Sequence, residues 1–195
     1  MKRLFLNSMA AIFLLAACNS NKTKDSKTTD ETKTQASTDK TSTADDGQQN
    51  IEELKNLPAL PPEQLKAMLP EELAGMKKKS SSVTSHLGYG IGTAEYGSDD
   101  GKEVRLTLFD IVGEAGVGWY NLMYLGYNME TEDENGYQKT TTFNGNKAIE
   151  KYDKNQDQYS LMFPVSNRLM VNIEGEKIGL DAVKQAANSL NLKSN

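Results

Sequence analysis

The spacing of apolar residues changes character several times along this chain of 195 residues, and each change marks an element. Leu4 to Leu15 is a mostly apolar run. From Asn19 to Asn50 there is no Val, Ile, Leu, Met or aromatic residue, so the segment has nothing with which to build a core and is expected to be disordered. As a flexible coil it would span about 30 Å, which suits a tether. Residues 51–195 return to ordinary globular patterning over the length of one domain. Leu54, Leu57 and Leu60 precede Pro61 and Pro62, and Leu65, Met68 and Leu69 fall at helical spacing before Pro70, which predicts two short helices with a proline break. Glu71 to Met76 reads as a further short turn ended by Gly75, and the run Lys77, Lys78, Lys79 before Ser80, Ser81 and Ser82 as a solvated loop.

The period then drops from helix to strand. Gly88, Gly90, Gly92 and Ala94 alternate with Tyr89, Ile91, Thr93 and Glu95, giving a strand with one nearly bare face against which something must pack closely. Val104, Leu106 and Leu108 alternate with Arg105, Thr107 and Phe109 in a second strand. Residues 114–129 read as a helix that is apolar on nearly all sides: at about 100° per residue, Ala115, Trp119, Leu122 and Met129 gather on one side and Val117, Tyr120, Met123, Tyr124 and Tyr127 on another. After an acidic loop from Glu130 to Gly136 come four strands, Gln138 to Phe143, Lys147 to Tyr152, Gln158 to Phe163 and Arg168 to Ile173. Asn144-Gly145 marks a two-residue hairpin between the first pair. Asp181 caps a closing helix whose Val183, Ala187 and Leu190 share a side.

Short turns between most strands predict an α+β domain with a mainly antiparallel sheet of about six strands covered by helices. Between Thr141 and Gly175, a small residue, Asn-Gly, a strand, a polar turn, an aromatic strand and a further strand follow one another. This succession resembles the Mog1/PsbP-like α/β/α sandwich, a group of mostly non-enzymatic binding or assembly factors. The resemblance implies a binding role and carries over no functional residue.

The N-terminus changes the picture of where the domain works. Lys2 and Arg3 precede the apolar run, which ends in Leu15, Ala16, Ala17 and Cys18, the one cysteine of the chain. A run of about twelve residues is too short to cross a bilayer of about 30 Å as a permanent helix. These residues resemble the signal peptide and lipid-attachment box of bacterial lipoproteins. The resemblance implies that residues 1–17 are removed and that Cys18 receives a thioether lipid and a palmitate-like acyl chain, each buried CH2 adding about 0.8 kcal/mol of membrane affinity. Residues 18–50 are then the lipidated cysteine and its tether, and residues 51–195 a periplasmic domain. Asn19 differs from the aspartate that resembles an inner-membrane retention signal, so outer-membrane placement facing the periplasm is expected.

Charge narrows the partners. Residues 51–195 hold 15 basic and 21 acidic side chains, a balance of −6 with no extended basic stripe, which argues against nucleic acid and leaves the lipid anchor as the link to the membrane. Catalytic chemistry finds little to build on: His86 is the single histidine, read as an exposed loop residue, and no triad, zinc set or phosphate loop is visible. No cofactor is expected. Asp153, Asn155 and Asp157 have the alternating oxygens of a calcium loop, but Gln158 and Pro164 stand where the sharp-turn glycine and the bidentate glutamate belong, so a hairpin turn is the preferred reading and calcium the alternative. Tyr120, Met123, Tyr124 and Tyr127 form the candidate binding surface, although packing of this face on the sheet is the preferred reading, since apolar helix faces are usually core. The chain therefore reads as a membrane-anchored envelope lipoprotein whose non-catalytic domain binds an envelope protein or a small ligand. The alternatives are a carboxylate-dependent glycan hydrolase and a calcium-dependent structural module.

Overall fold

The computed structural model describes residues 51–192; Cys18 and the tether lie outside them. Residues 51–56 form helix α1, and Pro62–Ala67 form α2, whose leading proline sets φ where a missing N–H costs nothing. Ala74 and Gly75 take φ of 53° and 74° and make a two-residue hairpin turn between β1 (Glu72–Leu73) and β2 (Met76–His86). The helical turn expected at Glu71 to Met76 is thus a hairpin. The lysine–serine run expected as a loop is strand, and so is the backbone at His86.

β3 (Tyr89–Gly97) and β4 (Glu103–Asp110) complete a first meander. Helix α3 (Gly113–Tyr120) runs into a π-turn over Asn121–Leu125. A second meander follows: β5 (Glu130–Asp133), β6 (Gly136–Phe143), β7 (Asn146–Asp153), β8 (Gln158–Pro164) and β9 (Leu169–Glu176). Asn144 and Gly145, at φ 49° and 79°, form the hairpin their sequence predicts. Helix α4 (Leu180–Ser189) closes the chain; Gly179 occupies its cap position, and Asp181 sits inside the first turn, where a negative charge suits the helix dipole.

All pairings are antiparallel, in the order β1-β2-β3-β4-β9-β8-β7-β6-β5. The domain is α+β as expected, but with nine strands among the described residues in place of about six. The extra strands are β1, β2 and β5, at the two ends of the sheet.

Strand register sorts the core. Leu106 opposes Ile173, Leu108 opposes Val171, and Ile173 opposes Leu161, all on the face under α2 and α4. The other face carries Phe109, Ile149, Met162 and Met170, covered by Leu54 of α1 and by Val117 and Tyr124. The bare face of β3 is met by α2: a Cβ on Gly90 would lie 2.5 Å from Leu65 Cδ1, closer than side chains approach. No helix among the described residues is long and apolar enough to cross a membrane.

Candidate functional site

The segment expected to form one helix from 114 to 129 changes its winding halfway. Gly126 N–H donates to the carbonyl of Asn121, five residues back, at 2.8 Å, which is the π spacing. One inserted residue rotates everything after it by about 100° relative to the helix before. Val117 and Tyr124, with Tyr120 and Tyr127 half-buried beside them, nonetheless keep the common side that a regular helix assigns to them, and Met123 is the member that leaves it.

Tyr124 is 3 % exposed and packs with Val117, Ile149 and Met170, so it is core and not a presented contact. Its hydroxyl donates to the Lys147 carbonyl at 2.6 Å, and burial, followed by the neighbouring Tyr120, pushes its pKa up to about 12. Tyr120 is half-buried and stacks on Tyr124 with centroids 5.3 Å apart. Tyr127 is also half-buried; its hydroxyl accepts from Gln138 Nε2 and donates to Met129 Sδ at 3.4 Å. Of the four residues predicted as a surface, only Met123 is exposed. It has other company: Leu122 is 75 % exposed, and Met123, Leu125 and Met129 are 43–45 % exposed. Leu122 and Met129 were expected beside Trp119, which stacks on Phe109 at 4.6 Å. The signal for this departure is Asn121 and Gly126 inside the segment, both poor helix formers.

Lys147 of β7 fixes the turn from below. Its ammonium donates to the carbonyls of Tyr124 at 2.7 Å and Leu125 at 3.2 Å and to that of Tyr127, and it lies 5.3 Å from the Tyr124 ring. Burial pulls its pKa below the ordinary lysine value, while the three carbonyls stabilise the charge. The exposed apolar residues thus stand on backbone tied to the sheet. Directly after Met129 comes β5, whose Glu130, Glu132 and Asp133, with Glu134 in the turn, are all exposed. Among the described residues these four carboxylates form no ion pair.

Two buried carboxylates lie elsewhere. Glu150, 3 % exposed, accepts from the Tyr137 hydroxyl at 2.8 Å and pairs with Lys184 at 3.0 Å and Lys139 at 3.4 Å. Asp110 takes two bonds from Arg168 at 2.9 Å each and one from the Leu60 N–H at 2.6 Å. Both are fully engaged by the protein's own donors, which describes structural groups. They also lie far apart in register, on β7 and β4, and do not form a carboxylate pair.

The calcium candidates form the β7–β8 turn. Asp153 Oδ1 accepts from the N–H groups of Asn155 at 2.9 Å and Gln156 at 3.3 Å, and Asp157 adopts φ 46°. Asp153 is therefore used to close the hairpin. Among the described residues no group of three or more His, Cys, Asp or Glu side chains gathers as a metal site. A groove of about 500 Å³ between the β1–β2 turn and the start of α4 is lined by Met76, Ile178 and Ala182 with Asp100, Lys102 and Lys177 at its rim. Compared with protein families, curated proteins and solved structures, the chain finds no match.

Proposed function

We propose that the chain is a lipid-anchored bacterial envelope protein, attached through Cys18 to the outer membrane, whose periplasmic domain binds a protein partner without catalysis. The partner meets the π-turn surface of Leu122, Met123, Leu125 and Met129. The observation that carries this reading is the exposure of four large apolar side chains on backbone locked by Lys147 and Tyr124. Exposed apolar residues concentrated in one short stretch of chain mark contact sites more often than chance surface, and a rigid display loses little entropy on binding. The acidic run that follows sets the chemistry of the other side: an apolar surface with lysines or arginines at its rim. It also disfavours anionic lipid headgroups as the occupant. Helices on both faces of an antiparallel sheet support the Mog1/PsbP-like sandwich as the architecture, and that resemblance points to binding or assembly as well.

Photocrosslinking side chains placed at Leu122 and at Met123 in the anchored full chain test the surface, with Gln185 on α4 as the control position. The expected result is one discrete envelope protein crosslinked from both π-turn positions and not from Gln185, lost when Leu125→Asp is added. Leu125→Asp should leave folding stability within about 1 kcal/mol, since the side chain is 43 % exposed. Equal crosslinking at all positions, or none, overturns the surface. A mature chain whose Cys18 mass carries no lipid overturns the anchor.

A further inference from the structure

The two ends of the sheet are built differently. β5 ends one side with four residues, three of them acidic, so a second copy laid against it would set carboxylates opposite carboxylates. At the other end β1 covers only Met76 and Lys77 of β2. Beyond an irregularity between Lys78 and Ser80, β2 continues to His86, and no strand among the described residues pairs with its outer side. Ser80 to Ser85 contains no charge and no proline, which are the usual devices that blunt an edge.

The hairpin turn after β2 identifies the free backbone groups. Leu87 and Gly88 take φ of 50° and 84°, a two-residue turn in which His86 and Tyr89 exchange both hydrogen bonds. Alternation along an antiparallel pair then turns the N–H and C=O of Ser85, Val83 and Ser81 away from β3. The side chains of these three residues lie on the α2 face, opposite Gly90, Gly92 and Ala94. Val83 and Met68 are half-buried against the core there, so a strand added at this edge would finish covering them.

We infer that a second copy of this chain occupies the edge, β2 pairing antiparallel with β2 of the partner about a twofold axis at Val83. Ser81 then opposes the partner's Ser85, Val83 opposes its counterpart, and each facing pair exchanges two bonds. The lysines of one copy fall beside the hairpin turn of the other, so no lysine meets a lysine. Self-complementarity without a like-charge contact selects a second copy here and rejects it at β5. This interface shares no residue with the π-turn surface and stands whether or not that surface binds a partner.

Sedimentation velocity of the full chain, in detergent with micelles in large excess, reads the stoichiometry. The unchanged chain is expected to form dimers. Val83→Lys and Val83→Glu, each placing like charges face to face at the axis, should each weaken association more than about tenfold. An equimolar mixture of the two should recover it. Ser81→Pro removes an N–H that β3 does not use, so it should weaken association while its melting temperature, compared at a dilution where both proteins are monomeric, is unchanged, and it carries the test if the Val83 variants do not fold. A monomeric unchanged chain overturns the inference, as do dimers that survive these substitutions. A Lys/Glu mixture that stays monomeric overturns the axis at Val83.

Discussion

At the scale of single residues, Glu150 is a buried carboxylate held by three partners. Burial alone would raise its pKa, but the Tyr137 hydroxyl, Lys184 and Lys139 outweigh that and hold the carboxyl below its ordinary 4.5. Tyr137 responds in the opposite sense, pushed up by burial and then by the carboxylate it serves, so it remains a donor at any physiological pH. A group whose folded pKa is depressed stabilises the fold above its unfolded value and loses that contribution as pH falls through the folded one. Denaturant melts of the unchanged chain should therefore show extra stability at pH 7 relative to Glu150→Gln, about 1–3 kcal/mol for charge-assisted bonds. The gap should narrow as the solution is acidified below about 4.5. The difference between the two proteins is the readout, because other carboxylates titrate in the same range. A gap independent of pH would mean that the charge on Glu150 contributes nothing.

Elements show where pattern was enough and where it was not. The bare face of β3 was legible, because a run of glycines at every second position has no purpose in a strand unless another element comes close; Leu65 of α2, fully buried, fills that space. Gly90→Ala should cost about 1–3 kcal/mol by forcing Leu65 aside. In a double-mutant cycle with Leu65→Ala the combined loss should be smaller than the sum, since the shortened side chain leaves room for the new methyl. Strict additivity would show that α2 does not rest on this strand. β6 to β9 were legible from β-branched, aromatic and apolar runs bounded by Asn-Gly and polar turns. β1, β2 and β5 were not: they are short or polar on both sides, and their strand character comes from the neighbour they pair with. The candidate surface was half legible. An all-round apolar helix must be covered on both faces or leave one available: Tyr124 keeps its expected place beside Val117 in the core, while Met123 leaves that side and stands exposed with Leu122 at the π-turn.

For the domain as a whole, the problem is how the segment ahead of β1 is held to a sheet with which it shares no strand. Leu54 of α1 closes the core over Val117, Tyr124, Ile149 and Met170, yet α1 is short and the stretch after it has no regular structure. The linker between α1 and α2 is fastened by polar groups instead: Leu60 N–H donates to Asp110 Oδ2 at 2.6 Å, and Arg168 donates to the Pro58 carbonyl at 3.0 Å while holding Asp110 through two bonds. Asp110 and Arg168 stand at the adjoining ends of β4 and β9, the pair that joins the two meanders, so one ion pair ties entry segment and both halves of the sheet together. Asp110 is fully buried, and its charge is tolerable only while Arg168 answers it. Arg168→Met should therefore destabilise the chain by about 3–5 kcal/mol, the cost of orphaning a buried carboxylate. Adding Asp110→Asn should recover part of that loss, because a neutral amide is cheaper to bury and still accepts from Leu60 N–H. In hydrogen exchange the Leu60 amide should be the first to lose protection in Arg168→Met and should regain some in the double variant. Recovery requires that the penalty come from the uncompensated charge; a double variant less stable than Arg168→Met alone would assign the loss to packing around the guanidinium, and the linker would then be held by α1 and its leucine alone.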